Sequence, residues 1–193
     1  MKIVLASNNI KKVREMRACL PADFELATAS DFQIESPPET GTTFVENAII
    51  KARHSSQVAG IPAIADDSGL EVDFLNGKPG IYSARYAGPE ASDADNNKKL
   101  LSVMDGVETR TARFRCVIVY LRHALDPMPI IAAGTWEGEI INQPDGDGGF
   151  GYDPLFFVPE FGKTVAKMSA EHKRQFSHRG QALLEFIRLF NAS

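Results

Sequence analysis

The sequence predicts an α/β protein, one domain over residues 1–193 with a mixed β-sheet, on three observations. Helical apolar spacing occurs near both ends, at Ile10, Val13, Met16 and Leu20 and again at Leu183, Phe186, Ile187 and Phe190. Short apolar runs that read as strands fill the interval between them. Hydrophobic residues make up 44% and charged residues 24%, the balance of a soluble globular chain. A chain of 193 residues is long enough to bury about 70% of its unfolded surface.

Taken in order, Lys2 to Ala6 reads as a first strand that runs through Ser7, Asn8 and Asn9 into a helix ended by Pro21. Thr43-Phe44-Val45-Glu46 fits a capping box, so a second helix starts at Thr43. Val45, Ala48, Ile49 and Ala52 form its buried stripe, leaving Lys51 beside Asn47 on another face. Ile61 to Ala65 reads as a buried strand, with Asp66, Asp67 and Ser68 crowded at its end and Gly69 turning the chain. The segment NGKPGIYSARYAG leads to a helix over Ala94 to Met104. Strands are expected at Ala112 to Leu121, at Pro129 to Thr135 and near Glu137 to Ile141. The loop QPDGDGGFGYDP precedes LFFV, and a last helix begins after Ser177.

Charge and composition exclude several classes. The formal net charge of −4 argues against broad nucleic-acid binding. Apolar runs are far shorter than the roughly 20 residues of a membrane span. No basic start, apolar run and small-residue cleavage site suggests export, so the expected location is the cytoplasm, with Cys19 and Cys116 as reduced thiols. The basic residues are clumped, at Lys11, Lys12 and Arg14, at Lys51 and Arg53, and from Lys163 to Arg179. Such clumps suit a small polyanion, and solvated helix faces account for them as well.

Apparent motifs fail on inspection. Gly162-Lys163-Thr164 lacks the P-loop glycine, because Phe157 stands five positions before Gly162. DGDGGFGYD places Phe150 and Phe156 where a calcium loop needs glycine and glutamate. It is no dinucleotide fingerprint either, since it does not lead from the first strand into a helix. The four histidines have no zinc-ligand spacing.

Four segments remain unusual together. SNNIKK sets small polar groups and Lys12 where a strand becomes a helix, a junction whose N–H groups and dipole favour anions. TGTTFVENAIIKA presents Lys51 from a capped helix, and DDSG supplies carboxylates. FGYD with KRQFSHRG adds an aromatic face, an acid and a cationic cluster. Phosphates need cations and N–H donors, a divalent metal needs hard oxygens, and a purine needs a stacking surface. For the adjacent aspartates alone, a turn or helix cap is an equally ordinary reading.

These segments, with ADDSGLEVD, PGIYSARYAG, GGFGYDPLF and SHRGQAL, closely resemble the inosine/xanthosine triphosphate pyrophosphatase family, the Ham1-like nucleotide hydrolases, in their bacterial form. The resemblance runs from the first strand to the last helix. It implies an elongated fold whose central mixed sheet separates two lobes flanking an active-site cleft. The implied activity is cleavage of deaminated purine triphosphates such as ITP, dITP and XTP to the monophosphate and pyrophosphate, with Mg²⁺ as cofactor and a homodimer as assembly. Neither a nucleic-acid nor a membrane partner is implied. By resemblance, Ser7, Asn8, Asn9, Ile10, Lys11 and Lys12, with Lys51, hold the triphosphate. Asp67 is metal ligand and general base, Glu39 the second metal carboxylate and Ser68 a substrate contact. Phe150 stacks on the base, Gly151, Tyr152 and Asp153 complete that wall, and Lys173, His178 and Arg179 complete recognition of base and phosphates. Asp66 is expected to face away and support the turn or the outer shell of the metal.

The chemistry suits these parts. An Asp with an ordinary pKa of about 3.9 is ionised at neutral pH, and hypoxanthine and xanthine carry a C6 keto oxygen that accepts from His178 or Arg179, where adenine carries a donor. An aspartyl-nucleophile phosphatase would need one residue between its two aspartates, whereas Asp66 and Asp67 are adjacent. A non-catalytic nucleotide sensor would lack the base or a metal carboxylate.

Overall fold

In the computed structural model, which describes residues 1–21 and 24–193, β1 (Lys2–Leu5) leads into α1 (Ile10–Cys19) and then β2 (Glu25–Thr28). The next elements are α2 (Phe44–Ala59), β3 (Ala63–Val72), α3 (Asp93–Val103), β4 (Thr111–Leu121) and β5 (Ile130–Ile140). β6 (Phe156–Val158), β7 (Lys163–Thr164), α4 (Ala170–Phe176) and α5 (His178–Asn191) complete the chain. Among the described residues the strands form one seven-stranded sheet in the order β2-β1-β3-β4-β5-β6-β7. β1 pairs in parallel with β2 and β3, whereas β5–β6 and β6–β7 are antiparallel, so the sheet is mixed as expected.

The described residues divide into two compact units, and β3, β4 and β5 contribute to both. The first comprises residues 1–67, 116–134 and 179–193. Its core joins Met16 of α1 and Leu183 and Phe186 of α5 to Ile3, Leu5, Ile64 and Ile118 of the sheet, all fully buried. Burying a side chain of that size contributes about 1.5–3 kcal/mol. Ala48 and Ala52 of α2 pack against Ala65, Val119 and Leu121, where small side chains let the helix lie close to the sheet. The second unit comprises residues 68–115 and 135–178. It centres on Leu70, Leu100, Phe114, Trp136 and Phe156.

The helix signals hold well. Thr43 caps α2 in the expected box with Glu46, and Leu183 and Phe186 are the buried face of α5. Ile10 is a correction: it opens α1 67% exposed and takes no part in the apolar face. The aspartates are a second correction. The expected strand end and turn at Asp66–Gly69 is the middle of β3, which continues to Val72 because Leu70 and Val72 carry the buried pattern onward. A third correction merges the predicted strands at 129–135 and 137–141 into β5, whose alternation of buried and outward residues runs unbroken from Ala132 to Ile140. β2, β7 and α4 had no expectation at all.

Candidate active site

The first cluster is built where β1 meets α1 and where β3 passes beside α2. Asn9 caps α1, its Oδ1 accepting from the backbone N–H groups of Lys11 at 3.0 Å and Lys12 at 3.3 Å. Ser7 Oγ accepts from Asn9 N–H, and Asn8 Oδ1 accepts from the Ser30 hydroxyl. The helix-start N–H groups of Lys11 and Lys12, expected to serve an anion, are therefore used by the cap.

Successive side chains on a strand point to opposite faces, and the two aspartates of β3 meet different surroundings. Asp66 is buried and its Oδ2 lies 3.0 Å from Lys12 Nζ and 3.3 Å from Arg179 Nη2. Arg179 also pairs with Glu15 of α1. Burial opposes ionisation of Asp66, but Lys12, Arg179 and Lys51 outweigh it and hold the carboxyl far below its ordinary range. Burial likewise opposes the Arg179 charge, and Asp66 and Glu15 more than restore it.

Asp67 is placed otherwise. Its Oδ1 accepts from Lys51 Nζ at 2.7 Å, while its Oδ2 is buried and has no hydrogen-bond partner among the described residues. Burial pushes its pKa up, and Lys51 only partly offsets that. Lys51 Nζ also donates to Glu39 Oε1 at 3.2 Å. Burial disfavours the ammonium, yet Asp67, Asp66 and Glu39 keep its pKa above the ordinary value. The Glu39 loop is pinned to α2. Asn47 Oδ1 accepts from Gly41 N–H at 2.9 Å, and a Cβ on Gly41 would lie 2.6 Å from Glu46 Cβ, so only glycine fits. Glu46 Oε2 accepts from the N–H and hydroxyl groups of Thr42 and Thr43.

These residues fit a divalent cation. Hard carboxylate oxygens converge from Asp67 and Glu39, and a buried Asp67 oxygen is left over. Among the described residues no group of three or more acidic, His or Cys side chains is set to hold a metal. Mg²⁺ characteristically takes one or two carboxylates and fills its shell with waters and substrate phosphates.

The second cluster lies wholly in the second unit. Gly149 adopts φ +75°, and a Cβ there would sit 2.0 Å from Asp153 Oδ2, so the loop closes tightly only with glycine. Asp153 Oδ2 accepts from Phe150 N–H at 2.8 Å and from Lys173 Nζ at 2.7 Å. The same ammonium stands 4.3 Å from the centroid of the Phe150 ring. Helix α3 holds the next residue by both ends: Gly151 N–H donates to Asp93 Oδ2, and Asn97 Nδ2 donates to the Gly151 carbonyl. His178, buried, stacks on Phe114 with ring centroids 4.8 Å apart.

Most expected side chains thus fall into one cluster or the other. Lys12, Lys51, Asp67 and Glu39 come together in the first unit, and Phe150, Asp153 and Lys173 in the second. Tyr152 is buried, with its hydroxyl donating to the Ser83 carbonyl. Asp153 is buried scaffolding for the loop. Arg179 is buried and pairs with Asp66 and Glu15. Ser68 is half-buried on β3. Cys116 is no nucleophile, since burial pushes its thiol up to about 12.

Sequence reasoning missed Glu15, Asn47, Asp93 and Asn97. Asn47 had a signal, a polar residue one turn before Lys51 and next to the apolar stripe, and Asp93 and Asn97 share a helix face. Glu15 had none, since its partner lies 164 residues away.

Fold and clusters define an α/β protein that sets lysines against acidic side chains and an aromatic loop against a further lysine, the parts a nucleoside polyphosphate requires. The chain belongs to the Ham1 family, whose sequence profile matches residues 3–189. It is 59% identical over 186 residues to a dITP/XTP pyrophosphatase of Vibrio parahaemolyticus, covering 94% of this chain and 92% of that one. It is 56% identical over 186 residues to the dITP/XTP pyrophosphatase of Escherichia coli K12, covering 94% of each. The solved HAM1 protein of Coxiella burnetii superposes with a TM-score of 0.94 at 44% identity over the whole of both chains.

Proposed function

We infer that this chain hydrolyses dITP, ITP and XTP between the α- and β-phosphates, releasing the nucleoside monophosphate and pyrophosphate. The observation that carries the reading is the Asp67 carboxylate, buried beside Lys51 with one oxygen unpartnered among the described residues. An acceptor held in that state takes a proton from water more readily than a solvated carboxylate does, and its raised pKa moves it toward the range of a useful base.

Asp67 and Glu39 would hold Mg²⁺, which supplies charge neutralisation at the phosphates and polarisation of a bound water. Lys12 and Lys51 donate to phosphate oxygens and stabilise the charge that develops on the departing pyrophosphate. Asp66 and Arg179 set the position of Lys12. Phe150 offers its ring to the purine and His178 a donor to the C6 oxygen, a contact that adenine cannot return. The homodimer and the cytoplasmic location belong to the same reading. No helix among the described residues is long and apolar enough to cross a membrane.

The test is product analysis with dITP, XTP and dATP. Pyrophosphate and monophosphate in equal amounts from the first two, with little from dATP, support the reading. Orthophosphate as the product makes the chain a phosphatase, and absence of turnover makes it a nucleotide sensor. Light scattering of the purified chain tests the dimer.

A further inference from the structure

Lys51 lies in a position that a phosphate-binding lysine does not require. Its ammonium donates to Asp67 Oδ1 at 2.7 Å and to Glu39 Oε1 at 3.2 Å, and its side chain is only 12% exposed. Lys12 is different, because its charge is absorbed by Asp66 in a cluster where Arg179 in turn balances Glu15. The Asp67–Glu39 pair has two carboxylates to one ammonium, a local charge of about −1 by that count. Adding a divalent cation turns it to +1, and a buried excess of positive charge is costly unless anions accompany it.

We propose that Lys51 is the resident counter-cation of the Asp67–Glu39 pair. In the nucleotide-free protein it holds the place of the divalent cation, and it passes to the phosphates when cation and nucleotide arrive together. The proposal rests on the reading of Asp67 and Glu39 as cation ligands. Lys51 then disfavours the cation alone and favours the cation with polyphosphate. The two ligands bind with positive coupling, and each raises the affinity of the other by the same factor.

The experiment is a Mn²⁺ titration of the intact protein, read from the electron paramagnetic resonance signal of the free ion. It is made without nucleotide and with the α,β-methylene analogue of dITP. Lys51→Met is expected to raise nucleotide-free Mn²⁺ affinity by about tenfold, within the usual range of coupling between sites. The gain in Mn²⁺ affinity that the analogue confers shrinks in proportion. Should Lys51→Met not fold without a cation, Lys51→Gln, which keeps a hydrogen-bonding end without the charge, is read in its place. Mn²⁺ affinity that stays at the wild-type value or falls overturns the proposal. Asp67→Asn is measured alongside. If it binds Mn²⁺ as the wild type does, the cation site lies elsewhere, and the assignment of Asp67 fails together with the proposal that rests on it.

Discussion

Asp66 and Asp67 are neighbours on one strand, both buried, and they differ in what surrounds them. Asp66 faces two cations, Lys12 and Arg179, and is held firmly ionised. Asp67 shares a single ammonium with Glu39, keeps an oxygen without a hydrogen-bond partner among the described residues, and has its pKa raised. The first arrangement is complete as it stands, which is the condition of a structural ion pair. The second carries a surplus of negative charge and unused acceptor capacity, which is the condition of a site awaiting a cation. Adjacent residues of the same type thus separate into support and chemistry, because the pleat sends them to opposite faces.

Breaking the balanced side gives the largest effect. Asp66→Ala leaves the buried Arg179 and the partly exposed Lys12 without the carboxylate they share and is expected to lower stability by about 3–5 kcal/mol, the usual cost of breaking a buried pair. Chemical denaturation measures it, and a loss under about 1 kcal/mol would erase the distinction, being the worth of a surface pair. Arg179→Met belongs to the same class. It should destabilise the fold while the dITP-over-dATP ratio of kcat/KM stays within about threefold, less than 1 kcal/mol of discrimination. A collapsed ratio with intact stability would assign Arg179 to the purine.

On the other side, Asp67→Asn removes charge without changing size. Turnover should fall by at least about 10²-fold, with melting temperature equal to or above wild type, because a raised carboxyl pKa marks a charge the fold does not favour. An unfolded Asp67→Asn protein would place Asp67 with Asp66. Asn47→Leu tests the latch beneath Glu39: the Gly41 N–H loses its acceptor, for about 1–3 kcal/mol of stability, and Mn²⁺ affinity should fall with it. Unchanged Mn²⁺ affinity would mean that Glu39 finds its place without the latch. The smallest effect is expected at Lys99, which lies over the Tyr86 ring at an exposed position. Lys99→Ala should change stability by no more than about 0.5 kcal/mol and leave turnover alone, so a large effect there would show that loss of any lysine is harmful.

Local signals carried much of the fold. The capping box at Thr43 and the spacing of Leu183 and Phe186 placed α2 and α5, because caps and helical stripes depend on residues three or four apart. The same locality misled at β3. Asp-Asp-Ser-Gly is turn chemistry in isolation, and what keeps it extended is a ladder in a seven-stranded sheet and burial on both sides. β5 was divided for a related reason, since the break after Thr135 exists in composition and not in the alternation of faces.

The sequence by itself determined the residue types of the site and their order, from Ser-Asn-Asn through Asp-Asp-Ser-Gly to Phe-Gly-Tyr-Asp, because phosphate, cation and purine chemistry each demand particular side chains. It also determined that glycine stands at 149, where the loop adopts φ +75° and passes within 2.0 Å of Asp153 as a Cβ would see it. Only the tertiary structure decided which charges meet. Arg179 finds Glu15 across 164 positions and Lys51 finds Asp67 across 16. Coulomb energy depends on distance and burial in space, and neither quantity is written in the spacing of residues along the chain.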